Sequence, residues 1–223
     1  MGGRLCEQRS PSRGSADLVM VPIQQCEMII SERIRERVRA AYSAAAADPQ
    51  GKHPFPVGRS FAESLGYPVG LLCKLPAVAV DSFTGVSNVA IFAEIHEGDV
   101  VLDLGCGAGL DSLIASDRVG GSGKVVGIDF SEPMLSRARA AATELGVQNV
   151  KFYNGSAERL PLRDGCVDVT LVNGIFNLNP QRRAIFQELA RVIRLGGRVY
   201  AAERVLNEPL APGTRLTEDD WFA

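Results

Sequence analysis

The segment VVLDLGCGAGLDS, residues 100–112, limits the choice of fold more than any other part of the sequence. Its apolar first half is typical of a buried strand, and the chain then runs through three glycines into a helix: Gly105, Gly107 and Gly109. Glycines at such a turn let a ligand approach the backbone closely, at a helix N-terminus with free N–H groups. The spacing is GxGxG rather than the GxGxxG of dinucleotide sites, and Asp103 precedes the first glycine. Glycine also makes tight turns where no ligand binds, so the interpretation of this loop as a binding site needs support from the surrounding sequence.

Alternating apolar strands and amphipathic helices follow Asn88, and this alternation predicts a parallel sheet with crossover helices. The predicted strands are 100–104, 124–129, 150–153, 167–172 and 198–203, and the predicted helices are 110–116, 132–145 and 181–193. Gly146 and the pair Gly196–Gly197 are expected to end the last two helices, and Ser131 to cap the second. The predicted fold class is α/β: a doubly wound, mainly parallel sheet that is shortened at its C-terminal edge.

The segments before and after this core differ from it in composition and in predicted structure. Residues 1–27 are rich in Gly, Ser, Arg and Pro and are predicted to form a flexible tail. Residues 28–87 are predicted to form a helical cap: an amphipathic helix from about Ser31, then a Pro-rich stretch of short helices and loops. Residues 88–205 form the predicted core, and residues 206–223 a C-terminal coil.

Composition excludes several classes of protein. The 24 Lys and Arg against 26 Asp and Glu argue against nucleic acid or an anionic membrane as the main partner. No apolar run is long enough to span a bilayer. The five cysteines are scattered and form no CxxC pair, which disfavours a disulfide framework and a metal site. We therefore expect a cytoplasmic protein with no bound metal.

Asp129 ends the second predicted strand, twenty residues after Gly109. In nucleotide-binding folds of this type, an acidic side chain at this position bonds ribose hydroxyls. The alternative is a carboxylate that only interacts with the next helix N-terminus, a contribution of roughly 0.3–1 kcal/mol. We favour ribose binding because the glycine loop lies upstream.

Four segments, VLDLGCGAG, GIDFSEPML, NGSAERLPLRDGCVDVTLVNG and RVIRLGGRVY, resemble the successive motifs of class I S-adenosylmethionine-dependent methyltransferases. The resemblance implies S-adenosylmethionine as cofactor, with its methionine end at the glycine loop, its ribose at Asp129 and its adenine against Met134 and residues 156–158. It implies that Asn173 borders the transferred methyl group. The implied cofactor-binding residues are Asp103, Gly105, Cys106, Gly107, Gly109, Asp129, Phe130, Met134, Ser156, Ala157, Glu158 and Asn173. Three structural alternatives stay open: Met134 packed in the core, Ser156 at the end of a strand and Asn173 bonded to the backbone of its turn.

A narrower resemblance, to arsenite methyltransferases, rests on VRAAY, AESLGYP, KLP, GVSNVAIFAEIHEGDVVLDLG and VNGIFNLNPQRRAIFQELARVIRLGGRV. It implies that the helix carrying Tyr42 closes over the cofactor with Tyr42 near the sulfonium. Tyr42 and Asn173 are thus the candidate catalytic residues, and the alternative for Tyr42 is an aromatic packed in the core. The arsenic-binding cysteines of that group align with Val86 and Gly174 here. Because soft thiolates capture trivalent arsenic, we do not expect arsenite as the acceptor.

The leading hypothesis is methyl transfer to a small-molecule acceptor (EC 2.1.1.-). The alternatives are a non-catalytic S-adenosylmethionine-binding protein or subunit, and a nicotinamide-dependent oxidoreductase, which the GxGxG spacing disfavours. Methyl transfer needs alignment and exclusion of water more than a catalytic acid or base. An exposed fifth strand would favour pairing, so a homo-oligomer or a partner chain is an open interpretation.

Overall fold

The computed structural model describes residues 23–205, 208 and 213–214, with side chains described from Ser31 onward. Most of the predicted tail and of the predicted C-terminal coil therefore lies outside the described residues. The helices are α1 (Ile23–Ala47), α2 (Arg59–Ser64), α3 (Val69–Leu72), α4 (Ala77–Val80), α5 (Val89–Phe92), α6 (Leu110–Val119), α7 (Glu132–Leu145) and α8 (Arg182–Val192). The strands are β1 (Val100–Leu104), β2 (Lys124–Asp129), β3 (Val150–Asn154), β4 (Val167–Asn173) and β5 (Ile193–Ala202).

The sheet of the described residues has the order β3-β2-β1-β4-β5, and every neighbouring pair is parallel. Val101 of β1 pairs with Val125 of β2 on one side and with Val169 of β4 on the other. Strand order reverses at β1, since β2 and β3 lie to one side and β4 and β5 to the other. In open α/β sheets the crevice at such a reversal, at the carboxyl ends of the strands, is where ligands bind.

Successive residues of β1 supply the two sides of the core. Val101 belongs to a cluster with Leu113 of α6 and Leu135 of α7, which also takes in the cap. Leu102, the next residue, belongs to a second cluster with Leu189 of α8. This two-residue period is what a strand covered on both faces requires. The prediction of a doubly wound α/β fold is confirmed.

Helix α1 begins at Ile23, eight residues before the predicted start at Ser31. The prediction that residues 1–27 form a tail is therefore wrong for residues 23–27. The chain has no proline or glycine between Pro22 and Pro49, so nothing in the local sequence ends a helix there. The predicted short helices of the Pro-rich stretch are α2, α3 and α4. Among the described residues, no helix has the length and apolar character to cross a membrane.

The prediction that Gly196–Gly197 end a helix is also wrong. Helix α8 ends at Val192 and β5 begins at the next residue, so both glycines lie inside the strand. Between the pairs Val167↔Ile193 and Val169↔Arg198, β5 advances five residues while β4 advances two. The extra residues form a bulge, and Gly196 adopts φ +79° within it.

Candidate active site

A cavity of about 240 Å³ opens at the carboxyl ends of β1 to β4, beneath α1 and the cap loop around residues 82–85. It brings together most of the residues predicted from the sequence: Tyr42, Asp103, Gly105, Cys106, Gly107, Asp129, Phe130, Ser156, Ala157, Glu158 and Asn173. Gly109 and Met134 are not among its lining residues. The cavity therefore occupies the crevice that the strand order defines.

Backbone hydrogen bonds hold the glycine loop against the end of β2. The N–H groups of Gly105 and Cys106 both donate to the carbonyl of Ile128, at 2.8 and 3.1 Å. Gly107 has φ +51°, and a Cβ placed there would meet no atom within 4 Å, so this glycine faces open cavity. A Cβ at Gly105 would instead clash with Cδ1 of Ile175. The absence of a side chain at Gly105 therefore lets the loop after β4 pack against the glycine loop.

Gly109 has a structural role, and its predicted contact with the cofactor stays a prediction. It precedes α6 with φ +87°, and a Cβ there would lie 3.1 Å from both Ala138 Cβ and Phe152 Cζ. The glycine therefore permits close packing of the loop against α7 and β3.

Asp129 is held by two backbone groups at the end of β2. Its Oδ2 accepts the N–H of Gly107 at 2.9 Å, and its Oδ1 accepts the N–H of Ser131 at 2.8 Å. Burial raises the pKa of Asp129, and these backbone hydrogen bonds act in the opposite direction. Each carboxylate oxygen keeps a lone pair, so the side chain can accept a hydroxyl from a ligand in the cavity.

The segment Ser156–Glu158 is tied to α1. Arg35 Nη2 donates to Ser156 Oγ at 3.1 Å and lies 3.3 Å from Glu158 Oε1. Asn179 Nδ2 donates to the same Glu158 oxygen at 2.8 Å. Burial raises the pKa of Glu158, but the hydrogen bonds from Ser156 and Asn179 and the Arg35 charge outweigh burial, and the net shift is downward. This end of the cavity is therefore closed by an ion pair.

Tyr42 lies on α1 and stacks on Phe55 of the cap, with ring centroids 4.6 Å apart. Burial raises the pKa of the Tyr42 phenol above its ordinary value, and the Asp129 charge raises it further. The phenol therefore stays protonated at neutral pH. The helix is also attached to α7 by a 3.0 Å hydrogen bond between the hydroxyls of Ser43 and Ser131. Ser131 sits at the predicted N-cap position, but its hydroxyl makes no capping bond.

Met134 is not among the residues that line the cavity, and its predicted contact with adenine stays a prediction. Its side chain is fully buried in a small cluster with Ala45, Ala46 and Ala108. The first turn of α7 faces α1, so Met134 fills the space between these helices. Phe130, two residues before α7, lines the cavity instead, and the guanidinium of Arg39 lies 5.6 Å from its ring centroid.

Asn173 joins the end of β4 to the cap. Its Oδ1 accepts the N–H groups of Val86 and Ser87, at 2.7 and 3.1 Å, and its Nδ2 donates to Asp111 Oδ2 at 2.9 Å. Tyr67, a buried cap residue, donates its hydroxyl to Asp111 Oδ1 at 2.5 Å. Sequence reasoning missed Asp111 and Tyr67. The available signal was an aspartate in the first turn of the helix that directly follows the glycine loop.

Asp103 and Asp111 are two carboxyls buried in one site. Asp103 Oδ2 accepts the hydroxyl of Ser112 at 2.5 Å. Burial raises the pKa of Asp103, and the neighbouring Asp111 charge raises it further. The Asp111 charge therefore disfavours ionisation of Asp103.

Glu203, directly after β5, shapes the loop that follows β4. Its Oε1 accepts the N–H groups of Ile175 and Phe176, both at 2.7 Å, and its Oε2 accepts that of Asn177 at 3.2 Å. The carboxylate is thus committed to backbone donors, and Glu203 acts as a positioning residue. Its contacts fix Ile175 against Gly105.

Comparison with known proteins agrees with this architecture. A family model described as a methyltransferase domain matches residues 95–221, more than half of the 223-residue chain. The chain belongs to this methyltransferase family. Its fold is that of class I methyltransferases, whose methyl donor is S-adenosylmethionine, so the predicted fold and cofactor are confirmed.

Individual relatives place this methyltransferase more closely. An arsenite methyltransferase of Halobacterium salinarum is 35% identical over 160 residues, 72% of this chain and 41% of that protein. A demethylmenaquinone methyltransferase of Lactococcus lactis subsp. lactis is 40% identical over 103 residues, 46% of this chain and 41% of that protein. This methyltransferase chain therefore spans about two fifths of the length of these curated relatives.

A solved structure is also similar to this methyltransferase. It is an arsenic(III) S-adenosylmethionine methyltransferase from Chlamydomonas reinhardtii, with 28% identity and a TM-score of 0.51. The match covers 66% of this chain and 49% of that one. The resemblance to arsenite methyltransferases is confirmed.

Proposed function

We propose that the cavity binds S-adenosylmethionine and that the protein transfers its methyl group to a small-molecule acceptor. The observation that carries the proposal is Asp129, a carboxylate locked by Gly107 and Ser131 at the edge of the cavity. It lies between the glycine loop and the segment Ser156–Glu158, as a nucleoside-binding acid requires.

The residues present fit this cofactor in three respects. Gly107 leaves open space where any side chain would intrude, Asp129 keeps lone pairs for the ribose hydroxyls, and residues 156–158 line the cavity where the adenine edge is expected. When bound, the cofactor supplies a methyl group already activated by its positively charged sulfur. The task of the chain is therefore to orient the reactants and exclude water.

Helix α1 performs the exclusion of water in this proposal. Arg35 closes one end of the cavity through Glu158, and Tyr42 lines the cavity near Asp129. The raised pKa of Tyr42 keeps its hydroxyl as a hydrogen-bond donor rather than a base. Asn173, fixed by Asp111 and the cap backbone, forms the wall on the β4 side. We propose Tyr42 and Asn173 as the residues that align the reactants.

Arsenite does not suit this site as an acceptor, although related proteins are named for it. By the resemblance to arsenite methyltransferases, the positions of their arsenic-binding cysteines fall on Val86 and Gly174, which offer no thiolate. Of the described cysteines, only Cys106 lines the cavity. Burial raises the pKa of the Cys106 thiol well above its ordinary value, so it stays protonated and a poor arsenic ligand.

Pairing through β5 with a second copy or a partner chain is a further proposal. β5 is the outermost strand on its side of the described sheet, and Leu195 on it is 98% exposed. Exposed strand edges favour pairing with another strand. Sedimentation of the purified chain tests pairing with a second copy, and mixing it with a candidate partner chain tests pairing with that chain. A chain that stays monomeric in both experiments would contradict the proposal.

Asp129→Ala tests the cofactor assignment. Removing this hydrogen-bonding carboxylate should weaken binding of S-adenosylhomocysteine by about 1–3 kcal/mol, measured by isothermal titration. Asp164→Ala is the matched control, because its side chain is 80% exposed and paired with Arg191 away from the cavity. Affinity for S-adenosylhomocysteine that is equal in the two variants would contradict the proposal.

A further inference from the structure

Three buried carboxyl groups line the main cavity: Asp103 of β1, Asp111 of α6 and Asp129 of β2. Their hydrogen-bond donors are neutral hydroxyl, amide and backbone N–H groups. Within the part of the chain that the structure describes, none of the three carboxyls forms a salt bridge. Negative charge buried in this way costs free energy unless a positive charge compensates it.

Positive charge in the cavity lining is concentrated elsewhere. The cationic side chains among the described lining residues are Arg35 and Arg39, both on α1. Arg35 is paired with Glu158, which follows β3, and Arg39 lies over the ring of Phe130, which follows β2. The two arginines therefore serve the part of the cavity next to β3 and β2, which is the part proposed for adenine and ribose.

The strand order places the sulfur of the ligand next to the carboxyls of β1 and α6. The order β3-β2-β1-β4 sets residues 156–158, Asp129, Asp103 and Asn173 in a row at the carboxyl ends of the strands. With adenine at residues 156–158 and ribose at Asp129, the sulfur that follows the ribose lies towards Asp103, and neighbouring strands are only about 4.8 Å apart. A charge acts over such a distance in a buried site, so the sulfur need not touch the carboxyl.

Protonation of Asp103 is expected when the cavity holds no cation. Burial, reinforced by the Asp111 charge, raises the pKa of Asp103 to about 8. The other titratable groups that interact with Asp103 are Asp129 of β2, the Cys106 thiol of the glycine loop and the Tyr67 phenol of the cap. Burial raises the pKa of both Cys106 and Tyr67, so these two stay neutral and supply no compensating charge.

We propose that Asp103 is a specificity-determining residue that makes the site prefer the positively charged donor S-adenosylmethionine to its product S-adenosylhomocysteine. The two ligands differ by one methyl group and by one positive charge on sulfur. When the donor binds, Asp103 releases its proton to solvent and its carboxylate compensates the sulfonium charge. After methyl transfer the sulfur is neutral, Asp103 takes a proton back from solvent, and the product is held less tightly. The inference rests on the proposed function, because it assumes that the cavity binds this donor.

Isothermal titration of the full chain with the two ligands tests the proposal. At about pH 7.5, S-adenosylmethionine should bind at least about tenfold more tightly than S-adenosylhomocysteine, a modest share of the attraction between two charges in a partly buried site. The preference should be smaller at about pH 6, because the donor complex binds fewer protons than the empty site and its formation is favoured as the pH rises. A product that binds as tightly as the donor at about pH 7.5 would overturn the proposal.

A proton count on the unmodified chain needs no variant. Binding heats in PIPES and in ACES buffer, whose ionisation enthalpies differ, give the number of protons released on binding. At about pH 7.5 the donor should release about half a proton or more beyond the product, since Asp103 is mostly protonated below its raised pKa. Equal proton release for the two ligands would also overturn the proposal.

Asp103→Asn assigns the preference to this residue, because it keeps the size of the side chain and removes its charge. In this variant the affinities for donor and product should differ by less than about threefold, and the extra proton release should disappear. Asp164→Asn is the matched control, because Asp164 is 80% exposed and paired with Arg191 away from the cavity. A donor preference that is unchanged in Asp103→Asn would contradict the role given to Asp103.

The same titrations distinguish failure of this inference from failure of the proposed function. If donor and product both bind the unmodified chain, with equal affinity and equal proton release, the proposed function stands and the inference fails. If neither binds a folded chain, the proposed function fails and the inference fails with it.

Discussion

Tyr67→Phe should destabilise the protein by about 2 kcal/mol, although it removes a single oxygen atom. Tyr67 is 2% exposed, and its hydroxyl donates its one hydrogen to Asp111 Oδ1 at 2.5 Å, with the carbonyl oxygen of Ser87 3.2 Å away. A hydrogen bond to a charged group contributes about 1.5–3 kcal/mol. Asp111 keeps the Asn173 amide at 2.9 Å and a weaker bond from Ala90 at 3.4 Å. The phenylalanine ring still fills the space, so no cavity adds to the loss.

The effect of Tyr67→Phe should depend on pH. Burial raises the pKa of Asp111, and the hydrogen bond from Tyr67 opposes that shift by favouring the ionised form. The stabilisation by Tyr67 is therefore largest where Asp111 is ionised, and it decreases as the pH falls through the folded-state pKa. The difference in unfolding free energy between the two proteins should therefore decrease as the pH is lowered from 8 through the folded-state pKa of Asp111.

Urea unfolding at a series of pH values from 8 downwards measures the effect. Tyr153→Phe is the control, because Tyr153 is 44% exposed and its hydroxyl is not buried against a carboxylate. The control should change stability by less than about 0.5 kcal/mol. A loss in Tyr67→Phe no larger than the control at pH 8 would refute the role given to the Tyr67 and Asp111 pair.

Two further predictions concern the glycine loop and Asp103. Gly107→Ala and Gly146→Ala should each cost about 1–2 kcal/mol of stability, because φ is +51° and +72° and no atom lies within 4 Å of either Cβ. Only Gly107→Ala should weaken S-adenosylhomocysteine binding in isothermal titration, and equal affinities would disprove the assignment of the loop. Because the pKa of Asp103 is raised on folding, stability should fall as pH rises from about 4 towards the raised value. Asp103→Asn should flatten the dependence of the unfolding free energy on pH, measured by urea unfolding. An unchanged dependence would count against a raised pKa for Asp103.

The elements with signals at both ends were predictable from the sequence. Strand β2 and helix α7 have the predicted bounds, since Pro133 lies in the first turn of α7 and Gly146 follows its end with φ +72°. Gly196–Gly197 misled the prediction because a glycine pair suits a helix end and a bulge equally well. Pairing of β5 with β4 decides between them, and local sequence carries no information about that pairing.

The candidate site was predictable where its residues follow strands directly. Asp103, Asp129 and Ser156 all line the cavity because the carboxyl ends of parallel strands meet at one edge. The contacts of Asp111 were not predictable, since its partners Tyr67 and Asn173 lie 44 and 62 positions away in the chain. Met134 was assigned to adenine from the resemblance alone. The packing of α1 against α7, which buries Met134, is a tertiary feature.

Isothermal titration of the purified chain with S-adenosylmethionine and S-adenosylhomocysteine, with NAD as control, tests the central claim most directly. Binding of the first two in the micromolar range, with no binding of NAD, is the predicted result. A folded chain that binds neither S-adenosylmethionine nor S-adenosylhomocysteine, or that binds NAD more tightly, would contradict the account.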